Sequence, residues 1–562
     1  ALFALHPVQV ESVAWVSELK NVLMLFFYLL AVRAWVAFSE QPAGRGQWYY
    51  LGALGLAALA LCAKTTACTL PVTLLLILWL KRKPVGWVRV AQTAPFFGLS
   101  VGMGLLTMWW ERYHQGTQGT LFAMTWLQRV LVAGHAFWFY LGKLVWPVNL
   151  TFSYPRWTIN TADVSSYLWL AAAAAALVGV VYFTRRYHGR GVAAALIFFV
   201  VTLSPVLGFI MLYTFRFAYV ADHYQYVACI GPLALAAAFL ESRRQQMAAI
   251  FHLPSFPLLS SLFYLLPVVL GVLTWRQCGM YADAETLWRA TLAQNPDSWL
   301  AHSNLGVALS AQGKFDEAIQ HCERALQLNP DDAEAHCNLG VVLARQGQLP
   351  QAIQQYQQAL QINPRFAGAC DDWGNALAAQ KKWPEAVQQY ERSLALDPAV
   401  AGPHYNLAVV LAARGKAAEA LQQYQKALRL NPDFPEAHNN LGAALAAQGK
   451  WAEAVQHYRR ALQLNPDYAE AHCNLGAALA TQGNLAEAVQ HFDRAVQLKP
   501  DYALAHLFLG TTLVDEGDLA GAVANLQQAL DLATAQGNAA LARVARAQIT
   551  RYSPASPPSP AP

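Results

Sequence analysis

Long apolar runs separated by short polar segments fill the first half of the chain. A run of roughly 20 mostly apolar residues is long enough to cross a bilayer as a helix. Such runs occur at 20–38, 92–110, 165–184, 191–213 and 258–275, with a shorter one at 226–240. The apolar stretch 49–80 is too long for one helix and is interrupted at Lys64, so it predicts two short spans. The pattern predicts a polytopic membrane domain over 1–275 with about eight crossings.

Basic residues predict the orientation of these spans, because short cytoplasmic loops carry an excess of Lys and Arg. The basic clusters lie at 81–89, 185–190 and 243–244. All three clusters fall on one side of the membrane only if segment 121–146 makes no net crossing. This segment mixes Arg129, His135 and Lys143 with tryptophans, which predicts a helix lying in the membrane interface. The segments predicted to be extracytoplasmic are 6–20, 111–164, 214–225 and everything after 276.

The second half of the chain has a strict internal period. Proline recurs every 34 residues, at Pro296, Pro330, Pro364, Pro398, Pro432, Pro466 and Pro500. In most periods a Leu-Gly pair, as at Leu441 and Gly442, precedes an Ala and an aromatic residue, as at Ala454 and Tyr458. A 34-residue helix-turn-helix period with these positions is the tetratricopeptide signature. The sequence therefore predicts an α-solenoid whose repeats bury their apolar faces against their neighbours.

Together these patterns predict an all-α fold: a polytopic transmembrane helical domain followed by a tetratricopeptide-repeat α-solenoid. The predicted boundaries are 1–275 for the membrane domain, 276–298 for a junction with a half repeat, 299–536 for seven full repeats, 537–551 for a capping helix and 552–562 for a disordered tail. The solenoid would follow the last span directly.

Equivalent positions in the first helix of each repeat form a polar ladder. Its members are Asn304, Asn338, Asp372, Asn406, Asn440 and Asn474. Because first helices line the concave side of such a solenoid, these side chains could bind the backbone of an extended peptide. The alternative is repeat duplication without a ligand. A histidine precedes most of these positions by two residues, but neighbouring rungs are too far apart for a shared metal.

Charge and cysteine content narrow the choice of function. The net charge is +5, but Lys and Arg lie in loops between apolar runs, which argues against a nucleic-acid partner. Eight cysteines occur without a CxxC pair or a His partner at zinc-ligand spacing. They are best interpreted as small buried thiols, and no metal site is predicted.

Polar residues within the membrane half are candidates for chemistry, since they are costly there without a task or a partner. His6 and Glu11 could bind or deprotonate a substrate, although a loop paired internally with Glu18 and Lys20 would explain them equally. Two later segments, 147–156 and 216–226, combine cations with aromatic residues. They could meet a lipid phosphate, or they could be an aromatic belt with snorkelling arginines.

Five segments in this order resemble one family. They are 5–20 with its HPVxxExVAWV motif, 64–80, 144–154, 221–226 and the junction 275–296. With the repeats that follow, they are similar to the transmembrane and tetratricopeptide-repeat-containing proteins, relatives of the GT-C glycosyltransferases that use lipid-linked sugars. The resemblance extends over nearly the whole chain.

The resemblance implies transfer of a sugar, most often mannose, from a polyprenyl or dolichyl phosphate to Ser or Thr of proteins. Because the sequence shows no metal-ligand cluster, the reaction is expected to need no metal or cofactor. His6 and Glu11 would assist catalysis, and Arg156, Arg216 and His223 would bind the donor phosphate. The family usually has Arg at the position of His223. Its main acidic base precedes the HP motif, so a segment upstream of Ala1 is expected.

This activity places the chain in a membrane, a bacterial inner membrane or the endoplasmic reticulum of a eukaryote, with its repeats extracytoplasmic. Its partners would be membrane lipid, the lipid-phosphate sugar and acceptor proteins in the solenoid groove. The main alternative is a non-catalytic membrane scaffold whose repeats recruit proteins. A transporter would need an intramembrane polar pathway, and the predicted spans are almost free of charge.

Overall fold

The protein is described here by a computed structural model that covers residues 3, 6–11, 19–42, 45–113, 124–187, 190–207, 218–250 and 257–552, apart from the side chains at 112, 113, 183, 187, 243–250 and 257–264. The regular elements in these ranges are all helices, as the all-α prediction requires. The chain packs as two compact units, Ala1–Pro330 and Asp331–Pro562. The first full repeat therefore packs with the N-terminal unit.

The described part of the N-terminal unit contains twelve α-helices. In chain order they are α1 (Leu19–Glu40), α2 (Gln47–Ala63), α3 (Leu70–Leu80), α4 (Trp87–Tyr113), α5 (Trp126–Val145), α6 (Ser165–Tyr187), α7 (Arg190–Leu203), α8 (Ile230–Ile250), α9 (Pro257–Gly279), α10 (Ala284–Gln294), α11 (Trp299–Ala311) and α12 (Phe315–Leu328).

Helices α1 to α4 enclose the first apolar core of this unit. Trp35 of α1 is fully buried and meets Phe96 of α4 edge to face, with ring centroids 5.6 Å apart. The hydroxyls of Tyr28 in α1 and Thr73 in α3 are hydrogen-bonded at 2.6 Å, and both side chains are buried. This bond satisfies two polar groups that would otherwise be costly inside an apolar core.

The apolar stretch 49–80 breaks at the predicted place. Lys64 has an extended backbone (φ −159°, ψ 130°), and Thr65–Thr69 forms a short 3-10 helix before α3 begins. Pro71 lies in the first turn of α3, where its missing N–H has no helical partner to lose. The polar residues after α2 thus end one helix and begin the next.

Helix α5 is the centre of a second apolar core. Tyr140 of α5 is fully buried and clusters with Phe199 of α7 and with Val220. The sequence predicts that this helix lies at the membrane interface, which stays a prediction, and the structure shows that its middle packs inside the unit. One reason is Gly134, since a Cβ there would lie only 3.1 Å from the Leu170 Cα and the glycine lets α6 approach closely.

Helix α7 ends earlier than the sequence predicts. The run 191–213 predicts one span, but α7 stops at Leu203 and Ser204–Val206 forms a 3-10 turn. Pro205 explains the end, because proline lacks an N–H and disfavours helical geometry in the residue before it. The rest of the predicted span, 208–213, lies outside the described residues, and so does the predicted phosphate ligand Arg216.

Three of the described helices are long and apolar enough to cross a membrane: Leu19–Glu40, Trp87–Glu111 and Ser165–Arg186. Five shorter apolar helices are Gln47–Ala63, Thr65–Leu80, Arg190–Val206, Ile230–Ser242 and Leu265–Gly279. The number of crossings therefore stays a prediction.

The C-terminal unit is a solenoid of paired helices. They are α13 (Ala333–Arg345), α14 (Leu349–Ile362), α15 (Ala367–Ala379), α16 (Trp383–Leu396), α17 (Ala401–Ala413), α18 (Ala417–Leu430), α19 (Pro435–Ala447), α20 (Trp451–Leu464), α21 (Ala469–Thr481), α22 (Leu485–Leu498), α23 (Ala503–Glu516), α24 (Leu519–Ala535) and α25 (Ala539–Tyr552). The last helix covers the end of α24 with Leu541, Ala545 and Ile549, at the place of the predicted cap.

In four of the repeats a glycine of the first helix lies under an aromatic ring of the second. A Cβ on Gly442 would lie 2.7 Å from Cε1 of Tyr458, and one on Gly476 would lie 2.8 Å from Cε1 of Phe492. Both rings are almost fully buried. The Leu-Gly and aromatic positions of the period are therefore the contact between paired helices.

One repeat departs from the others where its first helix ends. Gly347, Gly415, Gly449 and Gly483 have positive φ there. The equivalent Lys381 also has positive φ, 58°, although it carries a side chain.

Lys381→Gly is expected to raise the free energy of unfolding by about 0.5–1 kcal/mol, because the left-handed penalty of a side chain exceeds the entropy cost of glycine. Urea unfolding of fragment 331–552 measures this change. Lys382→Gly is the matched control, since φ there is −82°, and an equal gain from both substitutions would contradict the explanation.

Candidate functional site

His6 is a structural residue of the N-terminal turn. It caps the 3-10 helix Pro7–Gln9, where its Nδ1 accepts a hydrogen bond from the backbone N–H of Val8 at 3.4 Å. Its Nε2 then carries the proton and donates to the carbonyl oxygen of Leu144 at 3.0 Å. Burial lowers the pKa of His6, which favours the neutral ring. Both ring nitrogens are thus engaged, and the structure does not bring His6 to the cavity described below.

Glu11 and His223, both predicted from the sequence, are brought together. The carboxylate Oε1 of Glu11 lies 2.6 Å from Nδ1 of His223, and Oε2 accepts the backbone N–H of His223 at 3.2 Å. Glu11 is 3% exposed. This two-point contact fixes both the peptide and the ring of His223, although 212 residues separate the pair.

Asp222, next to His223, is buried in a second polar contact. Its carboxylate accepts the hydroxyl of Tyr154 at 3.0 and 3.1 Å, and the hydroxyl of Tyr140 accepts the N–H of Ala221 at 3.2 Å. Burial raises the pKa of Asp222 well above its usual range, and the nearby Glu11 carboxylate raises it further. These contacts hold 221–223 against α5 and the loop that follows it.

A polar cavity of about 320 Å³ opens beside Glu11 and His223. Besides these two residues and several apolar side chains, its lining includes Lys20, Asn21, Lys64, Thr65, Thr66, Thr69, Thr107, Glu111, Phe152, Thr202 and Tyr224. The ammonium of Lys64 donates to Oδ1 of Asn21 at 2.5 Å. The cavity thus combines two lysines, two carboxylates, an imidazole and a set of hydroxyls.

An apolar groove of about 350 Å³ begins one helical turn from this cavity. In four places a residue that lines the cavity and a residue that lines the groove are four positions apart in the sequence. These pairs, with the cavity residue given first, are Met24 and Tyr28, Thr69 and Thr73, Thr202 and Phe198, and Tyr226 and Ile230. On α8 the groove continues to Ala238, about 12 Å beyond Ile230 at 1.5 Å per residue. A polar cavity and an apolar groove therefore lie about one helical turn apart along four segments of the chain.

The other predicted phosphate ligand in the described residues, Arg156, lies elsewhere. Its Nη2 donates to the hydroxyl of Tyr219 at 2.9 Å, and its guanidinium lies 4.9 Å from the centre of that ring. Arg156 also borders a smaller cavity of about 240 Å³ with Asn295 and Asp297. The structure therefore does not place Arg156 and His223 around one cavity.

The half repeat of the junction packs directly onto the wall of the polar cavity. Phe152 lines the cavity and also meets Trp288 of α10 edge to face, with ring centroids 5.2 Å apart. Asn295, which ends α10, donates to the carbonyl oxygen of Ser153 at 3.2 Å. The beginning of the repeats is thus fixed to the loop after α5.

Sequence reasoning missed Lys64 and Asp222 as candidates. The sequence predicts that Lys64 interrupts two spans and begins a segment of family resemblance, but not that Lys64, Thr65 and Thr66 line a cavity, as they do in the structure. Their signal was available, because a polar triplet inside an apolar stretch is costly without a task. The burial of Asp222 depends on tertiary packing.

The polar ladder of the repeats is half-buried and partly engaged between neighbouring repeats. Asn406 donates to Asp371, Asn440 to the hydroxyl of Tyr405, and Asn474 to Asn439, in each case 35 residues earlier. Asp372 follows the same pattern, because it accepts the thiol of Cys337, also 35 residues earlier, at 3.5 Å. Asn304 instead bonds within its own helix, and Asn338 is half-buried in α13. Part of the ladder's hydrogen bonding therefore joins repeats, which the sequence analysis did not predict.

The histidines two positions earlier pair with the second helix of their own repeat. In three repeats the partner is another histidine: Nδ1 to Nδ1 distances are 2.9 Å for His302–His321, 3.0 Å for His438–His457 and 2.9 Å for His472–His491. Nε2 of the first histidine donates to a proline carbonyl oxygen, as from His438 to Pro432 at 3.1 Å. Its Nδ1 must therefore accept, and the partner's Nδ1 must donate. Glutamine takes the partner's place at Gln355 and Gln423.

These pairs predict acid sensitivity of the solenoid. Burial lowers the pKa of each histidine in the pairs His438–His457 and His472–His491. The surrounding charges are mixed: Asp433, Glu453, Asp467 and Glu487 favour protonation, and Arg459, Arg460 and Arg494 oppose it. The unfolded chain binds these protons more readily than the folded chain does. The free energy of unfolding therefore has its full value above about pH 6.5 and decreases as the pH falls through the lowered pKa values.

Fragment 331–552 is expected to lose about 1 kcal/mol per histidine pair between pH 7 and pH 5, the contribution of one hydrogen bond. Replacing His457 and His491 together with glutamine, as two other repeats have, should reduce that loss. Urea unfolding at each pH measures both chains. The same pH dependence in both would show that the pairs are not its source.

Comparisons with known proteins identify the repeats. Tetratricopeptide repeat models match residues 298–365 and 469–502, and a TPR repeat model matches 374–415, 410–449 and 444–483. The repeat half is therefore a tetratricopeptide solenoid, a module that binds protein partners. No curated protein matches the chain.

Several solved structures are similar to the chain over about a third of its length. YrrB, described as a TPR protein with an unusual peptide-binding site, is 28% identical and is aligned over 33% of this chain and 95% of its own, with a TM-score of 0.28. PilF of Pseudomonas aeruginosa is 24% identical over 38% and 97%, with a TM-score of 0.36. A thermophilic TPR protein of Thermus thermophilus is 25% identical over 32% and 99%, with a TM-score of 0.29.

Proposed function

We propose that the N-terminal unit is a membrane-embedded glycosyltransferase. It takes a sugar, mannose in the first instance, from a polyprenyl or dolichyl phosphate and transfers it to Ser or Thr of proteins held by the solenoid. The observation that carries this proposal is a polar cavity with an apolar groove about one helical turn away along the same part of the unit. Such a pair of chambers fits an amphiphile with a charged head and a hydrocarbon tail.

The chemistry of the lining suits a lipid phosphate sugar. Lys64 and Lys20 supply the charge-assisted hydrogen bonds that phosphate oxygens require. Threonine hydroxyls and the carboxylates of Glu11 and Glu111 can bind sugar hydroxyls. The groove beyond is lined almost entirely by apolar side chains. Binding of an isoprenoid chain there is favourable because it removes apolar surface from water.

The repeats supply the acceptor. Stacked repeats form an extended concave surface for peptides, and the half-buried ladder offers amide groups along it. The Phe152–Trp288 contact joins the first repeat helix to the cavity wall. We therefore propose that proteins bound by the repeats are modified, and that the repeats are extracytoplasmic. A topology reporter fused after residue 300 should then be extracytoplasmic, and a cytoplasmic signal would contradict the acceptor model.

The test is sugar transfer by the full chain in lipid nanodiscs. Dolichyl phosphate with radiolabelled mannose is the donor, and a peptide pool rich in Ser and Thr is the acceptor. Label in peptide that is released by β-elimination is expected from the wild-type chain and not from Lys64→Met. If the wild-type chain bound the donor but transferred no sugar to any peptide, the transferase proposal would be overturned.

The alternative is a membrane-anchored scaffold that only recruits proteins. It is favoured by the repeats, which are tetratricopeptide modules whether or not the N-terminal unit is catalytic. A scaffold would capture partners without modifying them, and Lys64→Met would leave capture unchanged. Labelled product in the assay above excludes it.

A further inference from the structure

A lysine of the solenoid occupies a small cation site that two neighbouring residues form. Lys499 follows α22, and its ammonium lies 5.2 Å from the ring centre of Tyr502 and 3.1 Å from Oε1 of Glu470. Both groups attract a cation, the ring through its quadrupole and the carboxylate through its charge. Glu470 and Tyr502 therefore show what kind of group this part of a repeat can hold.

The preceding repeat has the same two residues without the lysine. Glu436 and Tyr468 are the equivalents of that glutamate and tyrosine, 34 residues earlier, and Asn465 takes the place of the lysine. Oδ1 of Asn465 accepts the backbone N–H of Asp467 at 3.2 Å, so its amide is engaged in its own turn. Glu436 is exposed and makes no ion pair with any residue that the structure describes. This repeat therefore offers the same carboxylate and ring but no lysine of its own to fill them.

The carboxylate of Glu436 lies beside the polar ladder. Tyr405 of α17 connects the two, because its hydroxyl accepts a hydrogen bond from Nδ2 of the ladder residue Asn440 at 3.1 Å. Burial raises the pKa of both Tyr405 and Tyr468, and the negative charge of Glu436 raises both further. Since screening limits such an effect to short distances, Glu436 lies close to both phenols. A cation bound there would be within reach of a peptide that follows the ladder.

We propose that Glu436 and the ring of Tyr468 bind an arginine or lysine side chain of the protein segment that lies along the ladder. The inference rests on the proposed binding of proteins by the solenoid and does not depend on catalysis by the N-terminal unit. Charge complementarity selects this occupant, and Lys499 shows that a side-chain ammonium fits the equivalent place one repeat later. The preferred partner is thus a segment in which a basic residue accompanies Ser and Thr.

Two substitutions exchange the properties of the neighbouring repeats. Asn465→Lys places a lysine beside Glu436 as Lys499 is placed beside Glu470, so the carboxylate is paired from within and the partner's cation is excluded. Lys499→Asn releases Glu470 and its neighbouring tyrosine and opens a second site one repeat further along. Opposite effects on the binding of a cationic peptide are therefore expected from the two changes.

The experiment measures binding of two peptide pools to the full chain in nanodiscs of phosphatidylcholine by fluorescence anisotropy. Both pools are rich in Ser and Thr. One carries arginine at a fixed position, and the other carries citrulline, which has nearly the same shape without the charge. The wild-type chain is expected to bind the arginine pool at least about fivefold more tightly. Glu436→Gln and Asn465→Lys should abolish this preference, and Lys499→Asn should increase it.

The controls change charge by the same amount away from the ladder. Glu453→Gln removes a negative charge from α20, and Gln490→Lys adds a positive charge to α22, both at exposed positions on second helices. Both variants should keep the wild-type preference for arginine. Loss of the preference in these controls would mean that the peptide responds to overall charge, which overturns the proposed site.

The outcomes separate this proposal from the one on which it rests. Equal binding of the two pools by the wild-type chain, or an unchanged preference in Glu436→Gln and Asn465→Lys, overturns the cation site and leaves peptide binding by the solenoid standing. If neither pool binds the wild-type chain, the proposed capture of acceptor proteins is overturned, and the cation site falls with it.

Discussion

Replacing Phe492 with alanine is expected to lower the free energy of unfolding of the solenoid by about 3–5 kcal/mol, the usual cost of deleting a buried aromatic ring. The ring is 1% exposed and covers Gly476, with its Cε1 2.8 Å from the position of a Cβ on that glycine. An alanine leaves the glycine surface uncovered and a cavity between the paired helices α21 and α22. Urea unfolding of fragment 331–552 measures the change.

The control for this prediction is Gln490→Ala, an exposed position on the same helix. Surface substitutions of this kind change stability by about 0.5 kcal/mol or less. If Phe492→Ala cost no more than Gln490→Ala, the contact between glycine and ring would not be what holds a repeat together.

Replacing Lys64 with methionine is expected to weaken binding of a polyprenyl phosphate about 10- to 100-fold, since a hydrogen bond to a charged group contributes roughly 1.5–3 kcal/mol. Lys64 is held at the cavity by an extended backbone and by Asn21. Binding of the uncharged polyprenol should change little, because methionine preserves the apolar stem. Affinities for both lipids can be measured by native mass spectrometry of the solubilised full chain.

Lys81→Met is the matched control for charge. Lys81 lies after α3 and pairs with Glu40 at 2.8 Å on the surface, outside the cavity. If both substitutions weakened the binding of polyprenyl phosphate equally, the affinity would depend on the overall charge of the protein rather than on a contact with Lys64.

The solenoid could be predicted closely from the sequence because its contacts are local. A proline every 34 residues ends each pair of helices, and the glycine and aromatic positions that contact one another are 16 residues apart, as Gly442 and Tyr458 are. The hydrogen bonds between repeats, such as Asn474 to Asn439, could not be anticipated, because they depend on how successive helices are rotated.

The N-terminal unit was predicted less completely because hydrophobicity alone does not distinguish a lipid-facing helix from a buried one. Helix α5 carries cations and tryptophans like an interfacial helix, yet small residues such as Gly134 allow α6 to pack against it. In α7 the apolar run continues past Pro205, although the helix does not.

The candidate site shows the same limit. His6 and Glu11 are close in sequence, but their partners, Leu144 and His223, are 138 and 212 residues away. Spacing along the chain therefore selected both residues and could not assign their different roles. Lys64 was visible as a polar interruption, and only packing relates it to His223 around one cavity.

The most direct test of the account is photo-crosslinking of an isoprenoid phosphate that carries a diazirine in its chain. The full chain is labelled in detergent, and the modified peptides are mapped by mass spectrometry with and without excess polyprenyl phosphate. We predict competed label on groove residues of α3, α7 and α8, such as Leu76, Phe198 and Leu235. Label spread over the exposed faces of α4 and α6, without competition, would contradict a lipid phosphate site in the cavity and groove.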